Sequence, residues 1–383
     1  MKYDFLWDAL DKVQFGSLTI IMPDKSQRTF KGSKKGHVAH LIIKDMSCID
    51  YIVSGGDVAF GEAYIEDMWG TDNLPNLLCF FTQNSSTLEK FFHARKFKAI
   101  ILYFTSLFSK NSKVGSKKNI KKHYDIGNDF YELWLDPSMT YSSAYFHKSH
   151  LGLTKAQQEK YNYIINKLEG KKILEIGCGW GGFAEVALQN NFEIKSLTIS
   201  QKQFDYAQKR LEKFGDKINL ALQDYREEEG IYDNVVSIEM FEAVGVSYWD
   251  IYFSKINKVL KSEGKALIQT ITIDEEVFED YKNRVDFIQK HIFPGGVLPS
   301  KARMRRLFAK HGFKIVSELE FGYDYEKTLR IWLNNFDHKK DQILQLGFSE
   351  RFIRKWRFYL SYCIAGFNAQ RTDVVIFEIQ KIQ

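Results

Sequence analysis

The chain has 383 residues, 44% of them apolar and 15% aromatic, enough for a substantial core and long enough to make two domains the natural expectation. Its net charge of +6 suits an anionic partner without identifying one. Cys48, Cys79, Cys178 and Cys363 lie far apart with no CxxC spacing, and MKYDFLWDALDKV at the N-terminus lacks the apolar core of a signal peptide, which argues against a disulfide framework, a zinc site or secretion and for a reducing cytoplasm.

Residues 1–90 carry short alternating runs, Ser17 to Met22 and His40 to Ile43, separated by turns at Pro23-Asp24-Lys25 and Gly55-Gly56-Asp57. They read as a small α+β domain. Residues 91–122 form a basic, aromatic linker: from Lys90 to Lys122 there are cations at Lys90, Arg95, Lys96, Lys98, Lys110, Lys113, Lys117, Lys118, Lys121 and Lys122, and no acidic residue. Within it Ala99 to Phe108 is apolar for about ten residues, too short to span a bilayer but long enough to bury or to lie at an interface. Two readings stand, a solvated interdomain link and a membrane-surface contact. No stretch of the chain approaches the roughly 18 apolar residues of a membrane span.

From Lys171 onward, strand-like runs alternate with helical segments: KKILEIG, FEIKSLTIS, INLALQD, YDNVVSIEM and GKALIQTITI, then GFKIVSELEF and DVVIFEIQK. The alternation of the first five predicts a parallel sheet covered by helices on both faces, and the last two runs bring the strand count to seven. About 35 residues separate the fifth and sixth runs and about 50 the sixth and seventh, long for simple connections. Both insertions are helical in pattern and rich in aromatics, from Phe278 to Phe293 and from Trp332 to Phe367. They are candidates for a substrate lid, although aromatic stripes at helical spacing are more often core than site.

The segment Leu174-Glu175-Ile176-Gly177-Cys178-Gly179-Trp180-Gly181-Gly182 ends a strand and opens a helix, so its glycines can turn tightly and admit a ligand to the backbone. Gly177, Gly179 and Gly182 fit a dinucleotide fingerprint, but the acidic ribose partner expected after the second strand is missing. That strand ends in Thr198-Ile199-Ser200, followed by Gln203. Polar, uncharged partners there favour S-adenosylmethionine (SAM) over NAD. Asp224, ending the third strand, is placed to accept a hydrogen bond from adenine, and Cys178 reads as a small side chain in a tight turn.

The flanking motifs HYDIGNDFYELWLDPSMTYSSAYF (His123 to Phe146), LEIGCGWGGF, SIEMFEAVG (Ser237 to Gly245), IFPGGVLPS (Ile292 to Ser300) and LSYCIAGF (Leu360 to Phe367) occur in the order seen in the cyclopropane-fatty-acyl-phospholipid synthase family, which includes the mycolic acid methyltransferases. Residues 115 to 383 resemble that family. The resemblance implies a Rossmann-like SAM methyltransferase domain over residues 123–383 with helical lid insertions, preceded by a small lipid-carrier-like domain. It also implies a methylene transfer from SAM to the cis double bond of an unsaturated phospholipid acyl chain, giving a cyclopropane, with a methyl or methylene branch as the alternative product. By the same match Tyr141, Ser142, the Gly177 to Gly182 loop, Thr198 to Gln203 (Ser200 among them) and Gln223 to Tyr225 surround SAM.

An isolated alkene is a poor nucleophile, so the sulfonium must be held in line with it. Methylation leaves a carbocation that water would quench and that aromatic faces could stabilise. Ring closure then needs a base to take a proton from the transferred methyl group. In the family this base is thought to be a bound bicarbonate held by cysteine, glutamate, histidine, isoleucine and tyrosine. The resemblance places the glutamate at Glu242, the isoleucine at Ile271 and the tyrosine at Tyr325. Ser143 stands where many members have cysteine and Gln269 where many have histidine, and both can still hydrogen-bond an anion. Whether bicarbonate or Glu242 is the base stays open at this point. Cys363 matches a family cysteine once proposed as catalytic and reads here as packing. The implied partners are a phospholipid bilayer, anionic by the charge of the linker, approached peripherally from the cytoplasmic face. A homodimer is compatible with this, and no metal or nucleic acid is expected. A SAM methyltransferase for a soluble small molecule and a non-catalytic lipid-binding protein are the rival readings.

Overall fold

The computed structural model describes residues 4–88, 126–148 and 150–382. The basic linker expected over Lys90 to Lys122 lies outside the described residues. The N-terminal part holds a four-stranded sheet, β1 (Phe15–Ile21), β2 (Gln27–Lys31), β3 (Lys34–Ile43) and β4 (Trp69–Gly70), in the order β2-β1-β3-β4. The Pro23-Asp24-Lys25 turn joins β1 to β2, with Lys25 at φ 68 and Asp24 Oδ1 accepting the Ser26 N–H at 2.9 Å. The expected turn at Gly55-Gly56-Asp57 is instead a kink inside the helix Ser47–Ile65, where Gly56 adopts φ 64 and ψ −142. A glycine there bends the chain without ending the helix, because the apolar face resumes at Val58 and Ala59.

The seven later runs all form strands: β5 (Lys172–Ile176), β6 (Glu193–Thr198), β7 (Ile218–Leu222), β8 (Tyr232–Ile238), β9 (Leu260–Ile273), β10 (Phe313–Glu320) and β11 (Thr372–Lys381). They make one sheet in the order β10-β11-β9-β8-β5-β6-β7. The five runs expected to pair in parallel do so, and only the last strand of the seven runs the other way. β11 pairs antiparallel with both β9 and β10, because the chain returns through the helices Gly322–His338 and Glu350–Asn368 and enters the gap between them from the opposite end. The central strands read as near-continuous apolar runs because they are covered on both faces: Ile173, Leu174, Val235, Val236, Ala266 and Ile268 are fully buried.

The insertion between β9 and β10 folds as the short helices Glu275–Tyr281, Phe287–His291 and Lys301–Lys310, and that between β10 and β11 as the long pair already named with Lys340–Gln345 between them. Ser300 and Ser349 cap two of these helices by accepting the N–H groups of Arg303 and Phe352. Their aromatics are mainly core: Phe287 is buried against Phe358, and Trp332, Phe336 and Trp356 are buried and pack on Trp134, Phe130 and Tyr131. The N-terminal unit sits on this helical layer. The tilted rings of Phe287 and Phe358, 4.5 Å apart, lie over Gly61, and Arg354 donates to the carbonyls of Tyr64 and Trp69.

Candidate active site

In a sheet of this kind ligands lie beyond the C-terminal ends of the parallel strands. β5 ends there in the glycine loop. Gly177 and Cys178 donate their N–H groups to Leu197 O at 3.0 and 2.9 Å, and Gly181 donates to Cys178 O at 2.9 Å, folding the loop tightly against β6. Gly179 has φ 52, and a Cβ built on it would meet no atom within 4 Å. That leaves open space at the loop, into which a ligand could approach the backbone. Gly177 is different, since a Cβ there would lie 2.7 Å from Met240 Cγ, so the turn after β8 rests directly on the loop. Cys178 is buried, and burial raises its thiol well above the ordinary range, which leaves it in the packing role.

Beside the loop, Thr198 Oγ1 donates to Gln203 Oε1 at 3.0 Å and Ser200 caps the helix Gln201–Leu211. Gln223 N–H donates to Thr198 O at 2.9 Å. Asp224 lies next to it with its carboxylate held by Arg226 at 2.8 and 2.6 Å, and Tyr225 packs edge-on against Tyr252. Glu175, buried in β5, accepts the Ser196 hydroxyl at 2.6 Å, and burial pushes its carboxyl up to about 7.

The segment Tyr141-Ser142-Ser143-Ala144 forms a ledge facing this edge. It is clamped from two sides. Thr328 Oγ1, on the helix Gly322–His338, accepts the Ala144 N–H at 3.1 Å, and on the helix Leu153–Ile165 Gln157 Nε2 donates to Ser142 O at 2.8 Å. Lys160, fully buried on the same helix, donates from Nζ to Ser142 Oγ at 2.5 Å and to Ser143 O at 2.7 Å. Burial lowers the Lys160 ammonium to about 7, opposed by the charge of Glu239. Tyr141 and Tyr359 meet hydroxyl to hydroxyl at 2.8 Å, and Tyr325 packs on Phe367 at 4.6 Å.

Two carboxyl groups from SIEMFEAVG project into this region. Glu239 follows β8 at φ 48, a left-handed conformation that costs a residue with a Cβ roughly 1–2 kcal/mol. Its Oε1 accepts the Ser143 N–H at 2.8 Å and the Gln269 NH₂ at 2.7 Å, and its Oε2 accepts the Tyr325 hydroxyl at 2.5 Å. Glu242 Oε1 accepts the Ile271 N–H at 2.6 Å and the Thr270 hydroxyl at 2.9 Å. Its Oε2 and Gln269 Oε1 are buried without partners, as polar atoms that face a bound ligand or water are. Burial, followed by the charge of Glu239, pushes the Glu242 carboxyl up to about 8. The IFPGGVLPS segment meets this turn, where Val297 N–H donates to Glu242 O at 2.9 Å.

The residues read from sequence thus fall into place unequally. Ser143, Gln269 and Tyr325 converge on one point, but that point is the carboxylate of Glu239, while Ile271 serves Glu242. The Ser143 hydroxyl turns away to Ala144 O at 3.0 Å, leaving its N–H as the donor. Cys363 stands on the helix Glu350–Asn368, its thiol raised by burial. Sequence reasoning missed Glu239 and Lys160. Glu239 stood inside a quoted motif, and Lys160 occupies, with Ala156, Gln157, Tyr161 and Ile164, the buried face of its helix. A lysine on that face was the signal.

The glycine loop at the C-terminal edge of this seven-stranded sheet defines the fold of a SAM-dependent methyltransferase, and structural likeness agrees. The mycolic acid cyclopropane synthase solved with SAH and CTAB superposes with a TM-score of 0.65 at 30% identity, over 69% of this chain and 98% of that one. A cyclopropane synthase from Mycobacterium tuberculosis gives a TM-score of 0.65 at 28% identity with the same coverage. The model of the mycolic acid cyclopropane synthetase family matches residues 111–377, and the chain belongs to that family. It is 33% identical to the cyclopropane-fatty-acyl-phospholipid synthase of Escherichia coli over 89% of this chain and 87% of that protein. It is also 33% identical to a tuberculostearic acid methyltransferase of Mycobacterium tuberculosis, over 83% of this chain and 78% of that protein.

Proposed function

We propose that this enzyme transfers a one-carbon unit from SAM to the cis double bond of an unsaturated acyl chain carried on a membrane phospholipid, and closes a cyclopropane ring. The observation that carries the reading is the set of buried acid and base groups lying between an open glycine cradle and an aromatic wall. An O- or N-methyltransferase needs no such dry proton acceptor.

When bound, SAM supplies an electrophilic methyl group on a sulfonium. The backbone of Gly177 to Gly182, with Cys178 in its turn, would approach this ligand. Thr198, Ser200, Gln203, Gln223, Asp224 and Tyr225 would hold it beside the loop, and Tyr141 and Ser142, on the facing ledge, would line the same site. Tyr141, Tyr325, Tyr359 and Phe367 exclude water and offer ring faces to positive charge developing on the acyl chain. A bound bicarbonate, the base implied by the family resemblance, does not fit this chain: Ser143, Gln269 and Tyr325 already donate to Glu239, and the Ile271 N–H to Glu242.

Access to the lipid is peripheral. No helix among the described residues is long and apolar enough to cross a membrane. The ten cations between Lys90 and Lys122 are the contact with an anionic cytoplasmic surface, each contributing about 1 kcal/mol near anionic lipid. The division into residues 1–90, 91–122 and 123–383 assigns docking to the first two parts and chemistry to the third.

One observation favours a second product. The methyltransferase relative, named for tuberculostearic acid, is matched at the same identity as the cyclopropane synthase, so a methyl or methylene branch is the competing outcome. Lipids from cells expressing the gene decide between them. Mass spectrometry should show a gain of one CH₂, and NMR the shielded ring methylene of a cyclopropane. An alkenyl methylene signal, or a gain of two further hydrogens, would select the branch, and unchanged lipids would refute the reading.

A further inference from the structure

Two carboxyl groups of the site have opposite surroundings. Glu242 receives two donors on one oxygen, has a buried oxygen with none, and stands beside a like charge. Its neutral form is therefore favoured, and its carboxyl is pushed up to about 8. Glu239 receives three donors, and the buried Lys160 ammonium touches the same ledge that supplies one of them. Burial raises the Glu239 carboxyl too, but Lys160 and the three donors all act to keep it ionised. Pairs of acids separated in this way mark which is the base.

The stereochemistry of the seat sharpens the point. A carboxylate offers about four lone-pair directions, and the Ser143 N–H, the Gln269 NH₂ and the Tyr325 hydroxyl use three. Both directions on Oε1 are filled, so the free one is on Oε2. The three donors are those the family resemblance assigns to a separate bicarbonate.

We propose that Glu239 is the base of the reaction: its Oε2 takes the proton lost from the transferred methyl group, and its carboxylate fills the seat that the resemblance gives to bicarbonate. This rests on the alkene-alkylating reading above. Methyl transfer leaves one positive charge on the acyl chain. The electron pair of a C–H bond of the new methyl group forms the second ring bond, the proton passes to Oε2, and the charge is cancelled. Glu239 leaves the step as a neutral acid and returns its proton to water when the product departs. No external anion is consumed, so the enzyme turns over without bicarbonate.

The test uses the full-length protein, SAM and vesicles of an unsaturated anionic phospholipid. The native enzyme should keep its rate when bicarbonate is stripped from the buffer. Glu239→Gln, which keeps the shape but cannot accept the proton, should bind SAM as tightly as native in calorimetry and lose turnover by about 100-fold or more. Glu239→Ala vacates the seat and should regain turnover on addition of bicarbonate or formate, whereas Glu239→Gln should not. If the Ala variant fails to fold, shown by loss of SAM binding, the isosteric Gln variant decides alone. The proposal is overturned if Glu239→Gln turns over within a few-fold of native, or if bicarbonate removal stops the native enzyme. A native enzyme that alkylates no lipid at all refutes the function instead, so the two failures are distinguishable.

Discussion

Glu239 and Glu242 carry the same functional group three positions apart, and their neighbours alone separate them. Because Glu242 titrates at about 8 in the folded protein against 4.5 ordinarily, the native state keeps a proton that the unfolded chain has released throughout that window. With more protons on the native state, the Glu242 contribution to stability falls as pH rises from 4.5 to 8. Glu242→Gln removes that contribution, so denaturant midpoints measured at pH 5 and pH 8 should differ less in the variant than in the native protein. Equal differences would place the Glu242 carboxyl in its ordinary range. At Gly179 the argument is steric: at φ 52 a side chain is strained and would point into the open cradle. Gly179→Val should abolish SAM binding in calorimetry with the fold intact, and an unchanged affinity would remove the loop from the cofactor site. The glycine cradle was legible in the sequence because a strand end and its glycines are local. Glu239 was not, because its donors come from 96 residues before it at Ser143 and 86 after it at Tyr325, and no local pattern says which of two carboxyls they meet.

The helix Leu153–Ile165 holds the ledge through Gln157 and Lys160, and so sets the seat of Glu239 without touching it. Lys160→Met keeps the length of the side chain and removes the charge. With the cation gone, burial pushes the Glu239 carboxyl higher still, so the acidic limb of the rate profile should move to higher pH while SAM affinity stays near native. A profile that merely drops at every pH would reduce Lys160 to a packing role. All seven strands of the large sheet were legible: the central ones leave near-continuous apolar runs, and the edge strands β7 and β10, of which only Phe313 is buried, still carry enough apolar and β-branched residues in INLAL and FKIVSELE to mark them. The direction of β11 was not, because DVVIFEIQK reads alike from either end and only its pairing with β9 and β10 orients it. β2 escaped notice for a different reason: of Gln27–Lys31 only Phe30 is buried, so no alternation marks it. The kink at Gly56 was misread as a turn because a Gly-Gly pair gives the same local signal in both settings.

Across the whole molecule, the N-terminal unit rests on the helices that also close the site. Gly61 is a point of close approach, where a Cβ would lie 2.5 Å from Phe287 and 2.7 Å from Phe358. Gly61→Leu should therefore overpack this contact and cost about 1–3 kcal/mol, read as a lowered midpoint of thermal unfolding. If the variant is as stable as native, the two parts do not dock there. On the proposed surface role of the linker, reversing several cations from Lys110 to Lys122, or raising the salt, should weaken binding to anionic vesicles. Equal binding to neutral and anionic vesicles at every salt concentration would contradict a surface role for the linker. In the proposed reaction the carbon delivered by SAM is first bonded to an alkene and then loses a proton inside the protein. This order of steps is tested most directly with SAM deuterated in its methyl group, incubated with the purified enzyme and vesicles of an unsaturated phospholipid. The expected acyl chains retain two of the three deuterons in a ring methylene. Retention of all three in a methyl branch, or of label in anything but the acyl chain, would contradict this reaction.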